Sequence, residues 1–347
     1  MNRYIPAKVD EMTEYVPNKG EFSLRLDANE SPYLPSESLM ARIMAEAERT
    51  LFNRYPDASS EALINAFCSR YNVKPCQTAA GNGSDELINV ISTVFLSPSD
   101  KVLVCPPDFS MYSFYAETLG AKVVSCPRTD GFLDTEEIIE RANSEKVKLI
   151  FFSNPCNPSG KLMKREEIKS ILDRTDCVLV CDEAYMEFSS SDQSVMDLCV
   201  SYDRLIVLKT LSKAFGIAGL RVGFAVSNEE IGSAIRKVKS PYNVNSFSQA
   251  AARVILEDGW DEIKANYENI KKNTARLRED IISLGLPCEE TDTNFVLIRT
   301  EKASDLFEGL MSRGIAVRCF SSAGLLRISC GTEEENARFI KELRSLI

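Results

Sequence analysis

The sequence predicts an α/β fold: a mostly parallel central sheet with helices on both faces, plus a smaller α+β domain. Three observations carry this. From about residue 80 to 225, short apolar, β-branched runs alternate with amphipathic segments, as in a sheet buried on both sides. After residue 260 the rhythm changes to one long amphipathic helix followed by short strands and helices. The chain's 347 residues, 44% hydrophobic and 27% charged, exceed one average domain and can bury a sizeable core without disulfides or structural metal.

In chain order, the first 44 residues carry few apolar repeats. They are expected to form an arm that packs on the smaller domain or on a neighbouring subunit. A large domain is expected over 45–260, with strands at 101–105, 122–126, 148–153, 177–181, 204–209 and 223–226. Helices at 85–95, 111–119, 135–143 and 165–173 separate them. Within 261–284, Ile263, Tyr267, Ile270, Thr274, Leu277, Ile281 and Leu284 recur at spacings of three and four, which places one buried stripe on a long helix. Gly285 and Pro287 end it. The small domain, 261–347, continues as strand 294–300, helix 306–313, strands 316–320 and 325–329, and helix 333–346.

The sequence contains no histidine. A Ser-His-Asp triad, a Cys-His dyad and His-ligated zinc are therefore impossible, and proton transfer must fall to Lys, Asp, Glu, Tyr, Cys or a cofactor. A net charge of −10 argues against non-specific binding to nucleic acid or anionic membrane. The eleven cysteines are scattered, with no C-x-x-C spacing, so they read as reduced apolar fillers in a cytoplasmic protein. No run of 18 apolar residues occurs, and residues 1–12 show no apolar leader segment.

Several runs could carry chemistry. Gly81-Asn82-Gly83-Ser84-Asp85-Glu86 precedes an apolar helical pattern. It reads either as a tight turn with Ser84 as N-cap or as an anion seat, where glycines admit the ligand and free N–H groups attract it. Ser153-Asn154-Pro155-Cys156-Asn157-Pro158-Ser159-Gly160 follows a strand, at the end where α/β folds place ligands. The strand at 177–181 runs into Asp182-Glu183-Ala184-Tyr185, and a carboxylate there suits a ligand's basic nitrogen. In Leu208-Lys209-Thr210-Leu211-Ser212-Lys213 two lysines compete as candidate nucleophile. Arg221 adds a fixed positive charge eight residues after Lys213.

In this order, the glycine turn, the Asn-Pro loop, Asp182-x-x-Tyr185, Ser212-Lys213 and Arg221 resemble the fold-type I pyridoxal-phosphate enzymes, in their class II aminotransferase branch. Four further runs look like signatures of the histidinol-phosphate aminotransferase group: 26–32 (LDANESP), 53–57 (NRYPD), 106–112 (PPDFSMY) and 326–329 (LRIS). The resemblance spans nearly the whole chain.

That resemblance implies pyridoxal 5'-phosphate as cofactor and assigns its contacts. Lys213 is the amine that meets the aldehyde and later moves the α-proton. Asp182 keeps the ring nitrogen protonated, Asn157 and Tyr185 serve the ring oxygen, and Phe109 stacks on the ring. Backbone at Gly83, Ser84 and Asp85, the hydroxyls of Thr210 and Ser212, and Arg221 hold the phosphate. Tyr55 from a second subunit completes that cup, which implies a homodimer. Arg327 clamps a substrate carboxylate, while Tyr15 and Arg318 are further substrate contacts. The implied reaction is amino transfer between histidinol phosphate and 2-oxoglutarate in histidine biosynthesis. An L-threonine-O-3-phosphate decarboxylase and an aromatic amino acid aminotransferase stand as alternatives on the same fold. Two departures from the pattern are small: Cys156 replaces the commoner Asn, and Phe109 stands where many relatives carry Tyr.

Overall fold

The computed structural model describes Tyr4, Ile5, Val9, Met12, Glu14 and residues 18–347. Its strands are β1 (Leu24–Arg25), β2 (Thr78–Gly81), β3 (Lys101–Val104), β4 (Lys122–Ser125), β5 (Leu149–Ser153) and β6 (Val178–Asp182). There follow β7 (Leu205–Thr210), β8 (Gly223–Val226), β9 (Phe295–Arg299), β10 (Ile315–Ala316), β11 (Arg318–Phe320) and β12 (Leu325–Ser329). Seven of them form one sheet in the order β2-β8-β7-β6-β5-β3-β4. Only β8 runs antiparallel to its neighbours, so the expected mostly parallel α/β sheet is observed.

Alternation along the central strands explains why both faces are covered. Ile150, Phe152, Leu179, Cys181 and Val207 join one apolar cluster. Leu149, Phe151, Val180, Ile206 and Leu208, one position out of phase, join the other. Edge strand β4 is half-buried to exposed along its length. A second sheet, β11-β12-β9, is antiparallel and builds its own cluster from Val296, Ile298, Leu326 and Ile328 with Phe339 and Leu343.

The long helix forms over Trp260–Ser283 with the foreseen stripe inward. Its first half, Ile263, Tyr267 and Ile270, packs into the cluster on the large sheet. Its second half, Leu277 and Ile281, packs under the small one. Among the described residues, no helix is long and apolar enough to cross a membrane.

Two local expectations need correction, and one strand was not foreseen. The strand foreseen at 316–320 is two strands, because β10 pairs in parallel with β1 whereas β11 turns to pair with β12. Ser84 is not the N-cap: the helix Gly83–Phe95 begins after Asn82, and Ser84 sits in its first turn. β2 gave no sequence signal, because Thr78-Ala79-Ala80-Gly81 is small and short rather than β-branched. The arm joins the small sheet through β1, whereas the helix Glu37–Glu48 sends Leu39 and Ile43 into the cluster on the large sheet.

Candidate active site

Five strands, β2, β3, β5, β6 and β7, end on one edge of the large sheet, and each is followed by a segment singled out in the sequence. That is the carboxyl edge where open α/β sheets bind ligands. A cavity of about 430 Å³ opens there, walled on its far side by Arg318 and Arg327 from β11 and β12.

One end of the cavity is an anion cradle. No side chain caps the helix Gly83–Phe95, and Ser84 and Asp85 of its first turn face the cavity. Gly83 has φ +83°, and a Cβ there would stand 2.7 Å from Arg221 Nη2. A side chain at Gly223 would collide with the Ser84 backbone nitrogen. Both glycines keep the guanidinium and the helix end together. Arg221 itself is held in the left-handed region, φ +53°. Beside it, Thr210 Oγ1 accepts from the Ser212 N–H at 3.1 Å and donates to Ser212 Oγ at 3.0 Å. Asp85 turns its carboxylate to the Tyr115 hydroxyl at 3.2 Å, and burial pushes its pKa up.

The two lysines face different surroundings: Lys209 is still on β7, whereas Lys213 lies in the loop after it. Lys209, on β7, is 4% exposed and borders a different cavity, with its Nζ 2.9 Å from Glu187 and 3.4 Å from Glu183. Burial would lower its pKa, but Glu187 and Glu183 raise it above the ordinary lysine value, so it stays charged. Lys213 lies in the cavity, half-buried, with Nζ donating to the Ala28 carbonyl at 2.9 Å. Burial first, then the charge of Arg327, brings its pKa down to about 8. Of the two, only Lys213 can supply a free amine near neutral pH.

Opposite stands Asp182, 5% exposed. Its partners are neutral donors: the Tyr112 hydroxyl at 2.9 Å and the Ala184 N–H at 3.1 Å. Burial raises its pKa to about 6. Tyr185, one turn on, keeps its proton because burial raises its pKa too. Phe109 presents its ring to the cavity and meets Tyr112 edge-on at 5.7 Å. The backbone that carries Phe109 is tied to the Asn-Pro loop through buried Asp108. That carboxylate accepts from Arg128 at 2.7 Å, from the Phe109 N–H at 2.8 Å and from the Ser153 N–H and hydroxyl, while Ser153 Oγ accepts from the Asn157 N–H at 3.2 Å.

Arg327, 8% exposed, donates through Nη1 to Asn157 Oδ1 at 2.5 Å and through Nη2 to the Asp27 carbonyl at 2.6 Å. Engaging Oδ1 leaves the Asn157 NH₂ as the group that can donate into the cavity.

A family model described as aminotransferase class I and II matches residues 23–343. The chain belongs to that family. Among relatives of this aminotransferase, the histidinol-phosphate aminotransferase of Clostridium kluyveri is 37% identical, covering 100% of this chain and 99% of the relative. That of Clostridium novyi is 39% identical over 93% and 91% of the two chains. The crystal structure of histidinol-phosphate aminotransferase from Sinorhizobium meliloti in complex with pyridoxal-5'-phosphate superimposes with a TM-score of 0.90, at 24% identity, over 100% of this chain and 99% of that one.

The residues of this aminotransferase fit pyridoxal phosphate by the chemistry of their donor set. A buried carboxylate with only neutral partners suits a protonated ring nitrogen. An amine with a lowered pKa suits an aldehyde, and a helix end that tolerates no Cβ beside an arginine suits a phosphate. Of the residues foreseen from sequence, all but Gly83, Tyr55 and Tyr15 line the cavity. Gly83 is buried behind Arg221. Tyr55 is 81% exposed and stacks on Tyr242 at 4.5 Å. Tyr15 lies outside the described residues. Sequence reasoning assigned no role to Asn29, Asp108, Tyr112, Arg128 or Ser153. The first three lie inside the motif runs at 26–32 and 106–112, which was the available signal; nothing marked Arg128 as a buried partner.

Proposed function

We propose that this chain is a pyridoxal-phosphate-dependent histidinol-phosphate aminotransferase, exchanging the amino group with 2-oxoglutarate. The observation that carries the chemistry is the placing of Lys213 and Asp182 in one cavity at the carboxyl edge of the sheet. The substrate assignment rests on the full-length relatives named above.

When bound, pyridoxal phosphate supplies an electrophilic carbon and an electron sink. The chain's own groups do the rest. Lys213 would hold the cofactor's aldehyde and, as a free amine, would take the proton from the substrate Cα. Asp182 holds the proton on the ring nitrogen, and Asn157 and Tyr185 donate to the ring oxygen. Phe109 covers one face and excludes water. Arg327 grips the α-carboxylate of glutamate or the phosphate of the other substrate, and Arg318 adds positive charge at the same end. We assign these tasks to a large part, 45–260, and a small part, 261–347, that meet at the cavity.

The test supplies purified protein with pyridoxal phosphate, 2-oxoglutarate and, in turn, histidinol phosphate, an aromatic amino acid and threonine phosphate, following glutamate and CO₂. Glutamate formed fastest from histidinol phosphate is expected. CO₂ from threonine phosphate without glutamate would overturn the assignment.

We further propose a cytoplasmic homodimer in which Tyr55 reaches the phosphate cradle of the second copy. Support comes from the exposure of Tyr55, Leu51 and Phe52 on one loop at 81%, 67% and 84%, and the eleven unpaired cysteines fit a reducing compartment. Tyr55→Phe is expected to weaken cofactor retention about tenfold, the worth of one charge-assisted hydrogen bond. Mixing it with Lys213→Ala subunits should restore part of the activity, since one of the two hybrid sites is intact. Hybrids whose active sites retain the cofactor no better than Tyr55→Phe itself would refute the shared site.

A further inference from the structure

Asn29 has no part in the assignments above, yet it stands behind Tyr185. It is 1% exposed and has φ +54°, a backbone region that asparagine tolerates better than most residues. Its Nδ2 donates to the Tyr185 hydroxyl oxygen at 2.9 Å. Its Oδ1 accepts from the Ser329 hydroxyl at 3.0 Å, and Ser329 Oγ accepts in turn from the Asn29 N–H at 2.8 Å. The Asn294 amide holds the Asn29 carbonyl at 3.1 Å.

These bonds fix which way the amide faces. With Oδ1 toward Ser329, the serine hydrogen has an acceptor. Turned over, the amide would set NH₂ against Ser329 Oγ and leave the hydrogen of that buried hydroxyl without an acceptor among the described residues. The amide therefore donates to Tyr185, whose oxygen can only accept from it. The tyrosine hydrogen is left to point elsewhere, and the open direction is the cavity that Tyr185 lines.

We propose that Asn29 is a positioning residue for the reaction: it sets Tyr185 as a hydrogen-bond donor toward the cofactor's ring oxygen. This rests on the reading of the cavity as a pyridoxal-phosphate site. The charged and titratable groups around that hydroxyl are Arg327, Asp182 and Cys156, with Lys213 Nζ 5.9 Å from the ring centroid. A hydrogen bond donated to the ring oxygen stabilises its negative charge. Losing the bond makes the bound cofactor hold its proton to higher pH.

The experiment titrates the visible absorbance of the loaded protein with pH in four forms: parent, Tyr185→Phe, Asn29→Asp and the double variant. Asn29→Asp keeps the shape and the tolerance of positive φ but offers only acceptors, so the Tyr185 hydrogen turns away from the cavity. The midpoint is expected to rise by about one pH unit in Asn29→Asp, in the same direction as in Tyr185→Phe, with no further rise in the double variant. Asn29→Gly, which keeps the backbone and removes the amide, serves if the aspartate variant does not fold; its rise should be smaller and likewise absent on the Tyr185→Phe background. A parent-like midpoint in the Asn29 variants, with Tyr185→Phe shifted, would overturn the proposal alone. Shifts that add to that of Tyr185→Phe would also overturn it, because Asn29 would then act by another route. An unshifted Tyr185→Phe would overturn the proposal together with the site reading beneath it.

Discussion

Lys213→Ala abolishes the visible absorbance of bound pyridoxal phosphate and lowers turnover by more than about 10⁴-fold, because covalent capture and proton transfer are lost together. No neighbour can substitute. Lys209, four residues away in sequence, is locked between Glu183 and Glu187 beside a different cavity and holds its proton there. The variant should fold, since Lys213 is half-buried and its Nζ donates only to the Ala28 carbonyl among the described residues. An absorbance scan and a single-turnover assay check both parts. A variant that retains the visible band would mean that the amine is another lysine.

Asp182→Asn produces the second large effect, a fall in kcat of about 10²–10³-fold, as for other groups that hold charge opposite a reacting centre. The same variant should reverse sign in the cofactor-free protein. Burial raises the folded-state pKa of Asp182 to about 6. Because the folded form binds this proton more tightly than the unfolded chain, the stabilisation is complete below about pH 4 and is lost as pH rises through 6. The parent thus gives up about 3 kcal/mol across that window. Without the carboxylate this loss disappears, so thermal melts of the cofactor-free variant should fall less between pH 4 and 6 than those of the parent. Equal slopes in the two proteins would show that Asp182 is not the group that titrates. A protonated ring nitrogen relieves the same burden, which is why a buried acid can be retained at this position.

Much of this was legible before any coordinates, and for a physical reason. Strands buried on both faces are continuous apolar runs, so β3, β5, β6 and β7 announced themselves. The residues at their carboxyl ends were then candidates by topology alone. What stayed hidden depends on three-dimensional partners. Lys209 and Lys213 differ in what surrounds them, two glutamates in one case and the cavity in the other, and the local sequence does not encode that. Arg128 looks like any surface arginine until Asp108 is found against it, both side chains almost wholly buried. Asn29 and Ser329 lie 300 residues apart, and their pairing exists only because β12 passes beneath the arm. Ser84 misled because it is a good capping residue placed two residues past the cap, the helix having been started by Gly83 at positive φ.

The helix Trp260–Ser283 has a bearing on how the molecule comes apart. One rigid rod contributes Ile263, Tyr267 and Ile270 to the first apolar cluster and Leu277 and Ile281 to the other. Melting either cluster strips part of that rod and lays bare apolar surface belonging to its neighbour, at about 25 cal/mol for each Å² exposed. The two halves of the chain therefore share their fate on heating, and unfolding becomes a joint, cooperative event rather than two successive ones.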